Sequence, residues 1–106
     1  MIAQAVPMIS ALEAQAAANL FLSDHLPDRY CAGDPRYDQV VQAWRVPVQM
    51  AYRHVGALGE VGEILVNAFA KEVITHTPCD EMRESGHHLY EQNREAIQAA
   101  FLQARN

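Results

Sequence analysis

Apolar residues near the N-terminus recur with the period of a helix. Ser10 and Glu13 form a capping-box pattern, in which each side chain satisfies a backbone N–H group at the start of a helix. Pro27 disfavours helical geometry in the residue before it. The sequence therefore predicts an amphipathic helix that ends near His25 or Leu26. Its core-facing stripe is expected to be Ile9, Leu12, Ala16 and Leu20, widened by Ala17 and Phe21.

The pattern changes to alternation at Val40. An alternation of apolar and polar positions through Arg53 predicts a long, half-buried strand. Pro47 cannot donate a hydrogen bond to a neighbouring strand, so this strand is expected to lie at a sheet edge or to contain a bulge. The inward-facing positions are expected to be Val40, Trp44, Val46, Val48, Met50 and Tyr52.

Two further strands are predicted later in the chain. Residues 60–66 and 72–77 are rich in β-branched residues, and residues 67–71 between them are expected to form a hairpin turn. The glycine-containing residues 54–59 are expected to be a flexible connection, and residues 27–38 an ordered loop.

The C-terminal segment predicts a long helix. Thr77 is a favoured N-cap, Pro78 suits the first helical position and Asp80 favours the positive end of the helix dipole. Helical periodicity continues to about Ala104. The predicted fold is therefore α+β, a single domain of residues 1–106. It has an N-terminal helix, a three- to four-stranded antiparallel sheet and a long C-terminal helix, with the helices packed on one sheet face.

Composition and charge limit the classes of function. Eight Lys and Arg residues are scattered among thirteen Asp and Glu residues, giving a formal net charge of -5. Nucleic-acid binding requires a clustered basic face, so a nucleic-acid partner is not expected. No apolar run approaches the roughly 20 residues that cross a bilayer, so no membrane partner is expected either. We expect a cytoplasmic protein without a cofactor, in which Cys31 and Cys79 are reduced.

The segment from Trp44 to Thr77 resembles the PepSY domain, a small helix-plus-antiparallel-sheet module. The family has a hairpin close to Asp-Ala-x-Thr-Gly-Glu-Val, and this chain has Asn-Ala-Phe-Ala-Lys-Glu-Val at residues 67–73. Lys71 stands where the family has Gly, which tolerates positive φ, so another turn type is expected here. The resemblance implies an inhibitory or regulatory module, of a kind typically found outside the cytoplasm or attached to a membrane.

Cys79 and His76 are the candidates for catalysis. A thiol at the second position of a helix is stabilised as thiolate by free N–H groups and the helix dipole, and a histidine three residues upstream can act as its base. The alternative is a small, partly buried residue at a helix start, with a histidine that points elsewhere.

The C-terminal helix contains candidate metal ligands. Glu84 with His88, and His87 with Glu91, have the i, i+4 spacing that brings two ligands to one metal. The two pairs face different directions on the helix, and neither supplies a third ligand. Solvated surface pairs are the alternative, and no metal is predicted.

Recognition residues are expected in the loop 27–38 and at the start of the long strand. Tyr and Arg dominate binding hot spots, which makes Arg29, Tyr30, Arg36 and Tyr37 candidates for a partner or ligand. Trp44 joins them as a possible wall of a ligand cleft. The alternative is that these rings pack the loop onto the sheet and belong to the core.

The sequence thus favours a small, non-catalytic protein-interaction or ligand-binding module that forms a homodimer. Pairing of copies is expected at the edge formed by residues 40–53. A thiol-dependent enzyme or redox protein, and a carrier of a small apolar ligand in a sheet–helix cleft, remain alternatives.

Overall fold

The fold is α+β, as the sequence predicts, with one helix before and two helices after the antiparallel sheet in chain order. The structure, a computed structural model, describes residues 6–104. Its elements are, in chain order, α1 (Ala11–His25), β1 (Tyr30–Ala32), β2 (Arg36–Asp38), β3 (Ala43–Tyr52), β4 (Gly56–Asn67), β5 (Val73–His76), α2 (Cys79–Gln92) and α3 (Arg94–Ala104). The predicted capping box is confirmed: Glu13 N donates to Ser10 Oγ at 3.1 Å, and Ser10 N donates to Glu13 Oε1 at 3.0 Å.

The strand β3 lies inside the sheet, so of the two expected alternatives, an edge position or a bulge, the edge position is wrong. The strand order is β1-β3-β4-β5, and β2 pairs with β3 on the same side as β1. Residues 27–38 are accordingly not only a loop, because β1 and β2 form within them. These three-residue strands are too short to show a period in sequence, and they form by pairing with β3.

Pro47 is accommodated at the gap between β1 and β2. Gly33 N donates to Pro47 O at 2.8 Å, so the carbonyl of Pro47 faces this side of β3. In an antiparallel strand the N and C=O of one residue point to the same neighbour. The missing N–H of Pro47 therefore faces the break between the two short strands.

The first residues of the predicted strand form a turn instead. Val40 is 92% exposed, which corrects its expected inward position. Asp38 Oδ1 accepts hydrogen bonds from the N–H groups of Val40 and Val41, at 2.9 and 3.4 Å. Gln42 follows with φ 52°, and β3 begins at the next residue.

The strand β4 is longer than predicted because residues 56–59 belong to it. Two register shifts interrupt its pairing with β3, between Val48 and Gln49 and between Met50 and Ala51. Gly56 has φ 96°, a conformation that favours glycine. The glycines thus mark a bulged strand rather than a flexible connection.

The turn between β4 and β5 lies where the hairpin is predicted. Asn67 N donates to Glu72 O at 2.8 Å. Ala70 and Lys71 both keep negative φ, so this turn does not need the glycine of the PepSY pattern. A register shift in β5 pairs Val73 and Thr75 with consecutive residues of β4 and leaves Ile74 between them without a partner.

The helices α1 and α2 cover one face of the sheet, and the core lies between them and that face. Gly62 of β4 allows the close approach of α2, because a Cβ there would lie 2.8 Å from Met82 Cγ. The largest fully buried side chains are Leu22, Val46, Val48, Ile64, Val66 and Met82.

The C-terminal segment forms two helices, which corrects the single long helix of the prediction. Asn93 lies between them with φ -114°, and its Nδ2 donates to Leu89 O at 2.8 Å. Thr77 is not the N-cap: its Oγ1 accepts from Glu63 N at 2.9 Å, and Pro78 occupies the cap position. The radius of gyration is 16.0 Å, above the roughly 13 Å of a compact chain of this length, and the longest extent is 61 Å.

Candidate interaction surface

Helix α1 has apolar residues on two opposite faces. Ala14, Ala18 and Leu22 are buried against the sheet. Leu12 and Leu20, which the predicted stripe turns inward, are 75% and 67% exposed. This part of the prediction is wrong.

The geometry of a helix explains the difference. The rows Ala14–Ala18–Leu22 and Leu12–Ala16–Leu20 both have i, i+4 spacing and are offset by two residues, or about 200°. Small alanines let α1 lie close to the sheet, so the row that contains them faces inward. The row with two leucines is left facing solvent.

A groove of about 510 Å³ runs between α1 and the start of β5. We call this groove, with the exposed leucines beside it, the α1–β5 surface. Its apolar lining consists of Leu12, Ala16, Ala17, Leu20, Phe21 and Val73, and its charged or titratable rim of Glu13, Asp24, His25 and Lys71.

The rim has a basic and an acidic group at each end of α1. Lys71 Nζ lies 3.2 Å from Glu13 Oε2 near the N-terminal end. The hydrogen bond from the Ser10 backbone, and then Lys71, lower the pKa of the Glu13 carboxyl below its usual value. Near the other end Asp24 and His25 line the groove, and the His25 ring stacks on Phe21 at 4.1 Å between centroids.

The strand β5 borders the same groove and is an edge strand. In the described part of the chain it has a sheet neighbour, β4, on one side only. Thr77 N donates to Glu63 O at 2.9 Å, so alternation turns the backbone groups of His76 away from β4. Ile74 on this strand is 53% exposed. An apolar groove next to an open strand edge is typical of a surface that binds another chain.

The predicted recognition residues lie in two separate places. Arg29 and Tyr30 line a pocket against α2. Arg36 and Tyr37 lie on β2, where the Tyr37 ring contacts Trp44 at 5.5 Å between centroids. Trp44 Nε1 in turn donates to Ile9 O at 3.1 Å, and its ring packs against the core.

His76 and Cys79 are not joined in the structure. The His76 ring lies 4.5 Å from that of Phe21, and its Nδ1 lies 2.8 Å from Thr77 O. No hydrogen bond between His76 and Cys79 is present in residues 6–104. Cys79 is the first residue of α2 and packs against the core, while Cys31 lies on β1, and both are free thiols. The thiol-dependent function stays a prediction. In residues 6–104 the structure shows no hydrogen bond that would let His76 act as the base of Cys79.

The candidate metal ligands lie along α2. The rings of His87 and His88 are 6.5 Å apart and inclined at 56° to each other. Glu91 lies 3.8 Å from Arg94 of α3, and Glu84 is exposed. Within the described residues no three His, Cys, Asp or Glu side chains are grouped so that they could hold a metal ion.

The α1–β5 surface was not predicted. The available signal was in α1 itself, where apolar i, i+4 rows occur on both faces. An amphipathic helix with one partner needs a single such row, and a second row indicates a second partner. Lys71 gave no signal of its own, since its place beside the groove depends on the β4–β5 turn.

Comparison of the chain with known protein families, with curated proteins and with solved structures finds no match. Among the described helices, none has the length and apolar character that a bilayer crossing requires.

Proposed function

We propose that this protein is a non-catalytic interaction module that forms a homodimer through the α1–β5 surface. The observation that supports the proposal is the outward row of α1, in which Leu12 and Leu20 remain exposed beside an apolar groove. Burial of a leucine side chain contributes about 1.5–3 kcal/mol. In a symmetric dimer Leu12 and Leu20 of both protomers are buried, so four leucine side chains contribute.

Charge complementarity favours a second copy as the occupant of this surface. In a two-fold dimer with antiparallel α1 helices, the Lys71 end of one protomer meets the Asp24 end of its partner. The Glu13 end likewise meets the His25 end. The rim is therefore complementary to itself in this orientation.

The centre of the exposed row suits close contact of two helices. Ala16 lies between Leu12 and Leu20, so an axis at Ala16 places each leucine against the other leucine of the partner. A small residue at the crossing point allows an interaxial distance at the low end of the usual range of about 8–10 Å. The open edge of β5 is covered in the same association, which removes a hazard of edge strands.

The remaining parts of the function stay predictions. A cytoplasmic location, the absence of a nucleic-acid partner and the resemblance of residues 44–77 to PepSY domains have support from the sequence alone. A regulatory role of the kind that the resemblance implies is compatible with a non-catalytic dimer.

The replacement Leu20→Glu tests the proposal. It places a charge in the apolar centre of the surface, where its burial on association is costly. We expect the wild-type chain to have twice the mass of one 11.8 kDa protomer in size-exclusion chromatography with light scattering. The Leu20→Glu chain is expected to have the mass of a monomer, with an unchanged circular dichroism spectrum.

Leu102→Glu is the matched control. Leu102 is 63% exposed on α3, away from the groove, so the same replacement changes the same type of exposed side chain elsewhere. This variant is expected to remain a dimer. A wild-type chain that is monomeric at the highest attainable concentration contradicts the proposal, and so does dissociation by both replacements alike.

A further inference from the structure

A second pocket, of about 420 Å³, lies where β1, the end of β3 and α2 meet. This volume falls within the range of about 300–1,000 Å³ that is common for small-molecule sites. We call it the β1–α2 pocket. Its basic and aromatic lining residues are Arg29, Tyr30, Tyr52, Arg83, His87 and Tyr90.

The charge of this pocket is opposite to that of the whole chain. Two guanidinium groups and one imidazole line it, and among residues 6–104 no carboxylate does, although Asp80 pairs with Arg83 from outside the lining. The chain as a whole has a net charge of -5. Such a local reversal of sign attracts an anion and holds it where the basic groups converge.

The two arginines differ in their availability. Arg83 is fixed in place, because its Nη1 donates to Asp80 Oδ1 at 2.9 Å and its Nη2 to His25 O at 3.1 Å. The Arg29 guanidinium lies 4.6 Å above the Tyr52 ring, and no acidic side chain in residues 6–104 forms an ion pair with it. Arg29 therefore offers a positioned guanidinium with free donors to an anionic group.

Aromatic rings form the walls of the pocket. The Tyr52 and Tyr90 rings lie 5.9 Å apart and are inclined at 36° to each other. Burial, and the nearby Tyr52, raise the pKa of the Tyr30 hydroxyl above its usual value, so this group keeps its proton and can donate a hydrogen bond. These two rings pack against each other, so a flat ring lies against the pair on the pocket side, with its polar substituent toward the donors.

The Tyr30 side chain can lie against α2 only because residue 86 is glycine. A Cβ at Gly86 would collide with the Tyr30 hydroxyl. Glycine inside a helix costs about 1 kcal/mol relative to alanine. Here it keeps the Tyr30 hydroxyl against α2, at the wall of the pocket.

From this arrangement we infer that the β1–α2 pocket binds a small organic anion composed of a planar aromatic ring and a carboxylate or phosphate group. Arg29 binds the anionic group, Tyr30 donates a hydrogen bond to it, and Tyr90, packed beside the largely buried Tyr52, contacts the ring. This binding site shares no lining residue with the α1–β5 surface. It recognises both the negative charge and the aromatic ring of its ligand.

Titration calorimetry with simple probes tests the inference. Benzoate and phenyl phosphate represent the two anionic groups, benzamide is the neutral analogue of benzoate, and inorganic phosphate lacks the ring. We expect saturable binding of benzoate, phenyl phosphate or both, and the stronger of the two identifies the anionic group. Benzamide and inorganic phosphate are expected to bind at least about tenfold more weakly, because each lacks one of the two interactions.

The replacement Arg29→Gln is expected to weaken binding of the better probe about tenfold or more. Arg36→Gln is the matched control, since Arg36 is an exposed arginine of β2 outside the pocket. In proton NMR spectra the probe is expected to shift the ring signals of Tyr30 and Tyr90 and to leave the Trp44 indole signal in place.

Three results would overturn the inference. They are the absence of saturable binding for both anionic probes, equal binding of benzamide and benzoate, and equal weakening by Arg29→Gln and Arg36→Gln. His87→Gln provides a second variant, with the same expected direction of change, if Arg29→Gln lowers the melting temperature.

Discussion

Gln42 adopts a backbone conformation that its side chain does not favour. Its φ of 52° lies in the left-handed region, which costs an L-residue about 1–2 kcal/mol. The reason for this conformation is visible in its neighbours: the turn at 39–42 must end where β3 begins, and Ala68 N donates to Gln42 O at 3.2 Å. The side chain itself is exposed.

Gln42→Gly is therefore expected to stabilise the protein by about 1 kcal/mol. Glycine removes the steric cost, and the greater freedom of the unfolded chain offsets only part of this gain. A thermal unfolding curve is expected to shift upward by about 4–8 °C. Gln98→Gly is the matched control, because Gln98 is exposed inside α3, and the same replacement there is expected to lower the melting temperature. A lower melting temperature of Gln42→Gly would contradict this account.

Residue-level patterns predicted which segments are helical better than which side chains are buried. Ser10 and Glu13 gave a correct helix start, since capping depends on residues three apart. The predicted stripe of α1 includes Leu12 and Leu20 because they recur with Ile9 and Ala16 at steps of three and four. Packing reversed this assignment, since Ala14 and Ala18 let the helix approach the sheet. A single sequence does not contain the distance between a helix and its sheet.

At the scale of elements, Arg45 joins three neighbouring strands. Its Nε donates to Asp38 Oδ2 of β2 at 2.7 Å, and its Nη1 to Glu63 Oε1 of β4 at 2.8 Å. The hydrogen bond from Arg45, and those from the backbone of Val40 and Val41, lower the pKa of the Asp38 carboxyl. The short strand β2 thus depends on an ionised Asp38.

This linkage predicts a dependence of stability on pH. Because the pKa of Asp38 is lower in the folded than in the unfolded chain, its contribution is fully present above the unfolded value. It is lost as the pH falls below about 4 toward the folded value. Asp38→Asn is expected to lower the melting temperature at neutral pH and to flatten its fall in acid. The exposed Asp34→Asn is the control and is expected to keep the wild-type profile; an unchanged profile for Asp38→Asn would contradict the assignment.

The elements that the sequence patterns did not predict are those that form only by pairing with strands elsewhere in the chain. The strands β1 and β2 have three residues each, next to Gly33 and Pro35, and become strands only by pairing with β3. The break at Asn93 was missed because the apolar period continues through it. By contrast, the long strand β3 and the β4–β5 turn were predicted from local patterns.

At the scale of the whole molecule, we propose two surfaces for partners within residues 6–104. One is the apolar α1–β5 surface, with complementary charges at its two ends, and the other is the basic β1–α2 pocket in an acidic chain. They share no lining residue, although Arg83 of the pocket donates to the backbone O of His25 at the rim of the α1–β5 surface. The expected pairing of copies at residues 40–53 is not available, because β3 already has neighbours on both sides.

The most direct test of the dimer is a disulfide across its two-fold axis. Helix axes about 8–10 Å apart, with Cα atoms about 2.3 Å from each axis, leave facing Cα atoms about 3–5 Å apart. This range overlaps the Cα separation of about 4.4–6.8 Å that a disulfide requires. Ala16 is exposed at the expected crossing point, and Ala99 is an exposed alanine of α3 away from it.

The measurement is the mass of each variant on a non-reducing gel after mild oxidation. We predict that Ala16→Cys forms a covalent dimer, which a reductant converts back to single chains by cleaving the disulfide. Ala99→Cys, which has the same two native cysteines, is expected to remain a single chain. Failure of Ala16→Cys to form this dimer, or equal crosslinking of both variants, would contradict the assignment of the α1–β5 surface as the contact between copies.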